Sequence, residues 1–254
     1  MAAICLALAV RRASLPGMSN TDQFESAFAK ANLAGAVGLI VDRDGVRYAR
    51  ALGVKEAGGD APMAEDTLFQ IASMTKALVS AGALQLVEQG KLDLDADIGA
   101  LLPELANPQV LTGFDDAGQP QLRPAARAVT LRHLLTHTAG LGYFFIHPEV
   151  LRYFSATGMP VPGTRASVTM PLMFDPGERW EYSVATDWVG LAIEAATGER
   201  LNDYLTANLF APLGMNDTAF RAELPADAAR VHARGKDGAL NQGELDGARV
   251  LSPA

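Results

Sequence analysis

The stretch LFQIASMTKALVSAGALQLV, Leu68 to Val87, carries a single charged side chain, Lys76, among neighbours that are almost all apolar or small. From Ser73 to Glu88 the run is apolar around most of its helical circumference, and Gly90 ends it. A helix of that composition has no face suited to water, so other elements must enclose it. The chain is long enough to do so. Its 254 residues are 49% hydrophobic and contain no low-complexity tract, which allows a sizeable core in one large domain or two intimate subdomains.

The segments around that helix set the fold class. From Met18, MSNTDQFESAFAKANL reads as an amphipathic helix. The next segment, AGAVGLIVDRDGVRYARALG, holds two β-rich runs around Asp44-Gly45, a hairpin signal. Pro103, Pro108, Pro120 and Pro124 break LLPELANPQVLTGFDDAGQPQLRP, where mainly loop with short helical turns is expected. Thr130 is placed to cap LRHLLTHT, a short helix stopped at Ala139-Gly140. A turn at Pro176-Gly177 leads through an extended piece containing Trp180 and Tyr182 into a helix from about Ser183 to Thr197, with Gly198 just past its end. Another helix is expected over LNDYLTANLFAPLG. Strands first, then a buried helix, then a long helical and loop-rich section give an α+β class rather than alternating βαβ units.

Composition removes several functions. A net charge of -8 without clustered Lys and Arg argues against sequence-independent binding of nucleic acid or of an anionic membrane. Cys5 is the only cysteine, which excludes an intrachain disulfide and suits a reducing compartment. The opening MAAICLALAVRRASLPG has its arginines behind its apolar stretch, the reverse of a secretory leader, and is too short to span a bilayer. Residues 1–17 therefore read as an upstream extension, with a weak export leader as the alternative. The expected location is the cytoplasm, with the periplasm or secretion as the alternative.

Missing motifs remove mechanisms as well. No serine lies in G-x-S-x-G, and neither a Walker pattern nor G-x-G-x-x-G is present. His133 and His137 are four apart, but Leu134 follows His133, so the zinc-protease pattern fails and both histidines read as structural. What remains is Ser73 with Lys76 three residues later. At i and i+3 of a helix their side chains share a face one turn apart, which brings the lysine nitrogen within hydrogen-bond reach of the serine oxygen. A helix beginning near Ser73 also directs free N–H groups and a dipole toward developing negative charge. A protonated lysine is no base, and burial in this uncharged segment is expected to lower its pKa. Tyr182, just before a helix and after a Pro-Gly turn, is placed to present a phenol to a cleft.

Three segments, QIASMTKA, VTLRHLLTHTAGL (Val129 to Leu141) and FDPGERWEYSVATDWVG (Phe174 to Gly190), together resemble the serine β-lactamase-like family. Within it the chain is most similar to the family VIII carboxylesterases, relatives of class C β-lactamases and D-Ala-D-Ala peptidases, from about Thr21 to Asp217. The resemblance implies a β-lactamase/transpeptidase-like fold, an antiparallel sheet flanked by helices with a mostly helical subdomain. Residues 18–85 and 225–254 would form the α/β part and 86–224 the mostly helical part of a single domain. It further implies that Ser73 is the acyl-accepting nucleophile and that Lys76 and Tyr182 share its proton, either being the base. The substrate would be a small-molecule ester, with neither metal nor organic cofactor. Val184 stands where the class C lactamases carry an asparagine that contacts the lactam side chain, which favours an esterase. Tyr143, Phe144, Phe145 and Trp180 are candidates for an apolar acyl pocket, and the HTAGL loop with His137 would support the site.

One departure matters. The family's third motif, K-T-G, H-x-G or W-G-G on a strand that closes the site, is absent before Ala254. NQGELDGARVLSPA resembles a family segment that normally follows a Gly-rich stretch and another helix, whereas here it directly follows HARGKDGAL, so by that resemblance the chain reads as shortened internally and at its end. An incomplete sheet is expected, with an exposed edge that invites self-association. Three readings stay open: an active serine carboxylesterase, an impaired or non-catalytic relative, and a β-lactamase or D-Ala-D-Ala peptidase type of activity.

Overall fold

The computed structural model describes residues 20–221 and 223–243. The extension or leader expected at residues 1–17, and the expected C-terminal shortening, lie outside the described residues. In chain order the elements are α1 (Asn20–Ala31), β1 (Gly35–Asp42), β2 (Gly45–Gly53), α2 (Thr75–Glu88), β3 (Gln109–Phe114), β4 (Pro120–Pro124), α3 (Leu131–Leu135), α4 (Pro148–Thr157), α5 (Ala185–Thr197), α6 (Leu201–Leu205), β5 (His232–Arg234) and β6 (Leu240–Gln242), with short 3-10 turns between them and a π-helical turn, Thr206–Phe210, directly after α6. The class is α+β. The described residues form two compact units, one running up to Ala72 and resuming at Asp217, the other from Ser73 to Asn216. The helix α2, assigned from sequence to the α/β part up to residue 85, belongs to the second unit because α5 and α6 cover it.

In the first unit β1 and β2 pair antiparallel around the turn at Arg43-Asp44, as the Asp-Gly signal predicts. Asp42 closes the turn by accepting from the Asp44 N–H at 2.8 Å and from Arg47 at 2.7 Å. Gly45 takes φ +117°, a conformation that only glycine adopts without strain. The ring of Phe24 on α1 meets Tyr48 of β2 edge-on at 6.0 Å. Among the described residues the hairpin gains no third strand, and none of its residues is fully buried. The β5–β6 hairpin pairs only with itself and is tied to the end of α1 by Arg234, which donates to the carbonyls of Ala31 and Asn32 at 2.9 and 2.7 Å.

The second unit is built around α2 and α5. Val79, Ala83 and Leu86 of α2, with Trp188, Val189, Ala192 and Ile193 of α5, are buried. Each large side chain of this kind contributes roughly 1.5–3 kcal/mol through apolar burial. The indole N–H of Trp188, which would be costly to bury unpaired, donates to Val168 at 3.1 Å. Helix α2 meets α6 closely at Gly82, where a side chain would collide with Leu205 and where the Tyr204 hydroxyl reaches the Gly82 carbonyl at 3.3 Å. Gly198 ends α5 in the left-handed conformation, at the position read from sequence.

Two parts of this unit differ from the sequence expectation. The proline-interrupted stretch holds a second hairpin, β3–β4, rather than mainly loop. Its prolines fall at the two ends of β4, paired with Phe114 and Gln109, where a missing N–H is tolerated on an edge strand. Asp115 closes the turn by accepting from the N–H groups of Ala117 and Gln119. The other difference is α4, where no helix was read. Pro148 at its first turn and the His147 ring capping the Glu149 N–H start it, and Val150 and Phe154 are its buried face. No helix among the described residues is long and apolar enough to cross a membrane.

Candidate active site

The chain enters α2 through a single 3-10 turn, Ala72–Met74, that carries Ser73. Ala72 precedes it at φ +44°, a left-handed conformation costing an alanine on the order of 1–2 kcal/mol. Such strain persists only where the surroundings impose it, and it clusters at functional sites. Ser73 is exposed, and Lys76, the second residue of α2, is half-buried. The lysine Nζ donates to Ser73 Oγ at 3.3 Å. The i, i+3 spacing therefore produces the contact read from sequence.

Two tyrosines distant in sequence flank the ammonium. Lys76 Nζ is 4.8 Å from the ring centre of Tyr182 and 5.6 Å from that of Tyr143, and the two rings lie 5.6 Å apart. Burial pulls the Lys76 pKa down, as expected. Hydrogen bonding to Tyr182, and the charge and hydrogen bonding of Tyr143, pull it up more, and the net value lies above that of an ordinary lysine. The sequence expectation of a lowered pKa is corrected here, because it counted the uncharged neighbours of α2 and not the phenols brought by the fold. Burial, followed by the charge of Asp187, raises the Tyr143 phenol pKa. Asp187, in the first turn of α5, is itself pushed up by burial while Lys76 pulls it down. Its signal in the sequence is an acidic residue in the first turn of a mostly apolar helix, five positions after Tyr182.

Tyr182 is delivered by the Pro176-Gly177 turn. Gly177 takes φ +83° and donates its N–H to Thr138 at 2.7 Å. Asp175 anchors the same turn, its carboxyl held at about 2 by Arg123 and by the Ala126 N–H. The 137–138 loop then holds the next residues. Glu181 N–H donates to the His137 carbonyl at 2.8 Å, and Ser183 N–H to His137 Nδ1 at 3.3 Å. The His137 ring lies 4.9 Å from Tyr182 and 6.4 Å from Trp180, and its backbone is left-handed at φ +55°. His133 is confined to the start of α3, where it forms a reciprocal capping box with Thr130.

The other candidates separate. Tyr143 stacks on Phe145 at 4.7 Å and Phe144 meets Phe145 edge-on, so the aromatic run Tyr143 to Phe145 makes one ledge beginning at Lys76. Phe144 is 41% and Trp180 65% exposed, available to a ligand. Val184, at the start of α5, is only 6% exposed. No group of three or more His, Cys, Asp and Glu side chains among the described residues is placed to hold a metal ion.

The family model described as Beta-lactamase matches residues 21–251. Monacolin J acid methylbutanoyltransferase from Aspergillus terreus is 40% identical over 234 residues, covering 85% of this chain and 57% of the relative. Lovastatin esterase from Penicillium rubens is 36% identical over 204 residues, covering 78% of this chain and 51% of the relative. Among solved structures, a LovD6 mutant of the simvastatin synthase LovD from Aspergillus terreus superposes with a TM-score of 0.79 at 38% identity, covering 91% of this chain and 57% of that one. The chain thus spans about half the length of the curated relatives it matches.

Proposed function

The chain belongs to the β-lactamase family, and on that premise we propose that it is a serine carboxylesterase working through an acyl-enzyme on Ser73. The observation that carries this reading is the Lys76 ammonium held at once against Ser73 Oγ and between Tyr182 and Tyr143. Its relatives include an esterase and an acyltransferase, two outcomes of one intermediate.

In the proposed reaction Ser73 Oγ attacks the ester carbonyl carbon, and the serine proton passes into the Lys76–Tyr182 pair. The tetrahedral intermediate collapses, the alcohol leaves with a proton from that pair, and the acyl group stays on Ser73. Water then attacks the acyl carbon, gives its proton to the pair, and Ser73 leaves reprotonated with release of the acid. Because Lys76 is held as ammonium, the competent pair has one proton fewer than the resting pair. Ser73 sits in the turn that leads into the positive end of α2, which is proposed to stabilise the charge developing on the carbonyl oxygen. Tyr143, Phe144 and Trp180 are proposed to receive the apolar part of the ester. The reaction as drawn uses no metal and no organic cofactor.

A different acceptor in the second step, an alcohol in place of water, gives acyl transfer, and the acyltransferase relatives favour keeping that outcome. An impaired or non-catalytic relative is the remaining alternative. Incubation with an aryl butyrate, with and without a primary alcohol, separates these outcomes. Steady phenol release with free butyrate supports the esterase, butyrate ester of the alcohol supports transfer, and a single stoichiometric burst marks an impaired enzyme. No phenol release at all overturns the proposal.

A further inference from the structure

The loop residue His137 holds the chain on both sides of Tyr182. Its carbonyl accepts from Glu181 N–H at 2.8 Å and its ring Nδ1 from Ser183 N–H at 3.3 Å, so the residues before and after Tyr182 are bound to one side chain and its own backbone. Ser183 Oγ also lies 3.3 Å from Nδ1 and accepts from Ala185 N–H, which leaves its own hydrogen free to point at the ring nitrogen. The imidazole lies against the phenol ring itself, centre to centre at 4.9 Å. To make these contacts at once, His137 adopts a left-handed backbone that most side chains avoid.

We propose that His137 is a positioning residue that sets the Tyr182 phenol against Lys76, and that it does so only in its neutral form with the proton on Nε2. The inference rests on the reading of Ser73, Lys76 and Tyr182 as the reacting groups. An imidazolium has an N–H at Nδ1, which faces the fixed Ser183 N–H donor; the Ser183 hydroxyl can turn to accept, but the backbone contact is opposed by protonation. Burial, and after it the charge of Lys76 from α2, keeps the His137 pKa below the ordinary histidine value. The other titratable side chain against it is Tyr182, and the Glu181 carboxylate is turned to His147 and Arg179 at 3.2 and 3.7 Å. The sign follows: the grip is complete above the ordinary histidine range and is lost as pH falls through a lower value.

His137→Asn is the discriminating variant, because asparagine tolerates the left-handed backbone and offers Oδ1 near the place of Nδ1 without titrating. The rate of Ser73 phosphonylation is measured for the parent, His137→Asn and His137→Ala across the acid and neutral range. His137→Ala should be slower by up to about a hundredfold, the cost of a misplaced proton-transfer group. The ratio of parent to His137→Asn rates should be constant near neutrality and fall in acid, because only the parent loses its acceptor. Independently, in protein carrying 13Cζ-tyrosine, the Tyr182 resonance, assigned with Tyr182→Phe among five tyrosines, should shift in acid in the parent and stay still in His137→Asn. If the parent is never phosphonylated, the functional reading fails while the Tyr182 resonance still decides the role of His137. A rate ratio and a Tyr182 resonance both flat through the acid range, or a His137→Ala rate equal to the parent's, overturn the proposal.

Discussion

Lys76 Nζ lies 3.3 Å from Ser73 Oγ at the first turn of α2 while the same nitrogen sits 4.8 Å from the centre of the Tyr182 ring. One cation therefore touches the proposed nucleophile and the proposed proton partner together. Removing either partner should disable the same unit. Lys76→Ala and Tyr182→Phe are each expected to slow acylation of Ser73 by about a hundredfold to ten-thousandfold, the usual range for a positioned acid–base group. The double variant should be little slower than the worse single one, because a shared proton path is lost once. Stopped-flow acylation with an aryl butyrate checks this, and fully additive losses would separate the two residues.

The charge state of Lys76 fixes a pH dependence. Its pKa is raised, so the ammonium persists further into alkali than an ordinary lysine would, and the competent pair with one proton fewer grows as pH rises. Acylation should accelerate toward alkaline pH. Tyr143→Phe removes one of the groups that raise Lys76, so the rising limb should move to lower pH while the aromatic ledge stays packed. The apparent value belongs to the pair and not to one residue. A limb that moves upward, or stays in place in Tyr143→Phe, would remove Tyr143 from the account.

How much of this site was legible in the sequence depended on the range of each interaction. The Ser73–Lys76 contact, the Thr130 cap and the Gly198 stop are set within one helical turn, so residue spacing reveals them. The charge of Lys76 is decided by Tyr143 and Tyr182, which reach it only through the tertiary fold, and a reading of its neighbours in α2 gave the wrong direction. That the HTAGL loop with His137 supports the site was implied by the family resemblance, but its contacts to Glu181 and Ser183 were hidden because those partners lie on another segment. The β3–β4 hairpin was masked by prolines that mark loops in most settings and here occupy the ends of an edge strand.

Substrate preference follows from the ledge. Tyr143, Phe144 and Trp180 present apolar surface, and the buried Val184 supplies no polar contact for a lactam side chain. Short-chain aryl esters should therefore give a higher kcat/KM than cephalosporins. A cephalosporin with the higher value would move the activity toward the β-lactamase reading.

The first unit carries its own expectation. With β1 and β2 unaccompanied among the described residues and none of their side chains fully buried, we propose that this hairpin makes the chain self-associate. Light scattering coupled to size exclusion should show oligomers whose share grows with concentration. A monodisperse monomer at all concentrations would refute the proposed association.

The central claim is that Ser73 is the residue acylated. Treatment with an activated aryl phosphonate, followed by mass measurement of the intact protein and mapping of the adduct, tests it without assuming a natural substrate. The account predicts one phosphonyl group per chain, located on Ser73, and none on Ser73→Ala. An adduct that persists in Ser73→Ala, or a parent protein that takes up none, would contradict it.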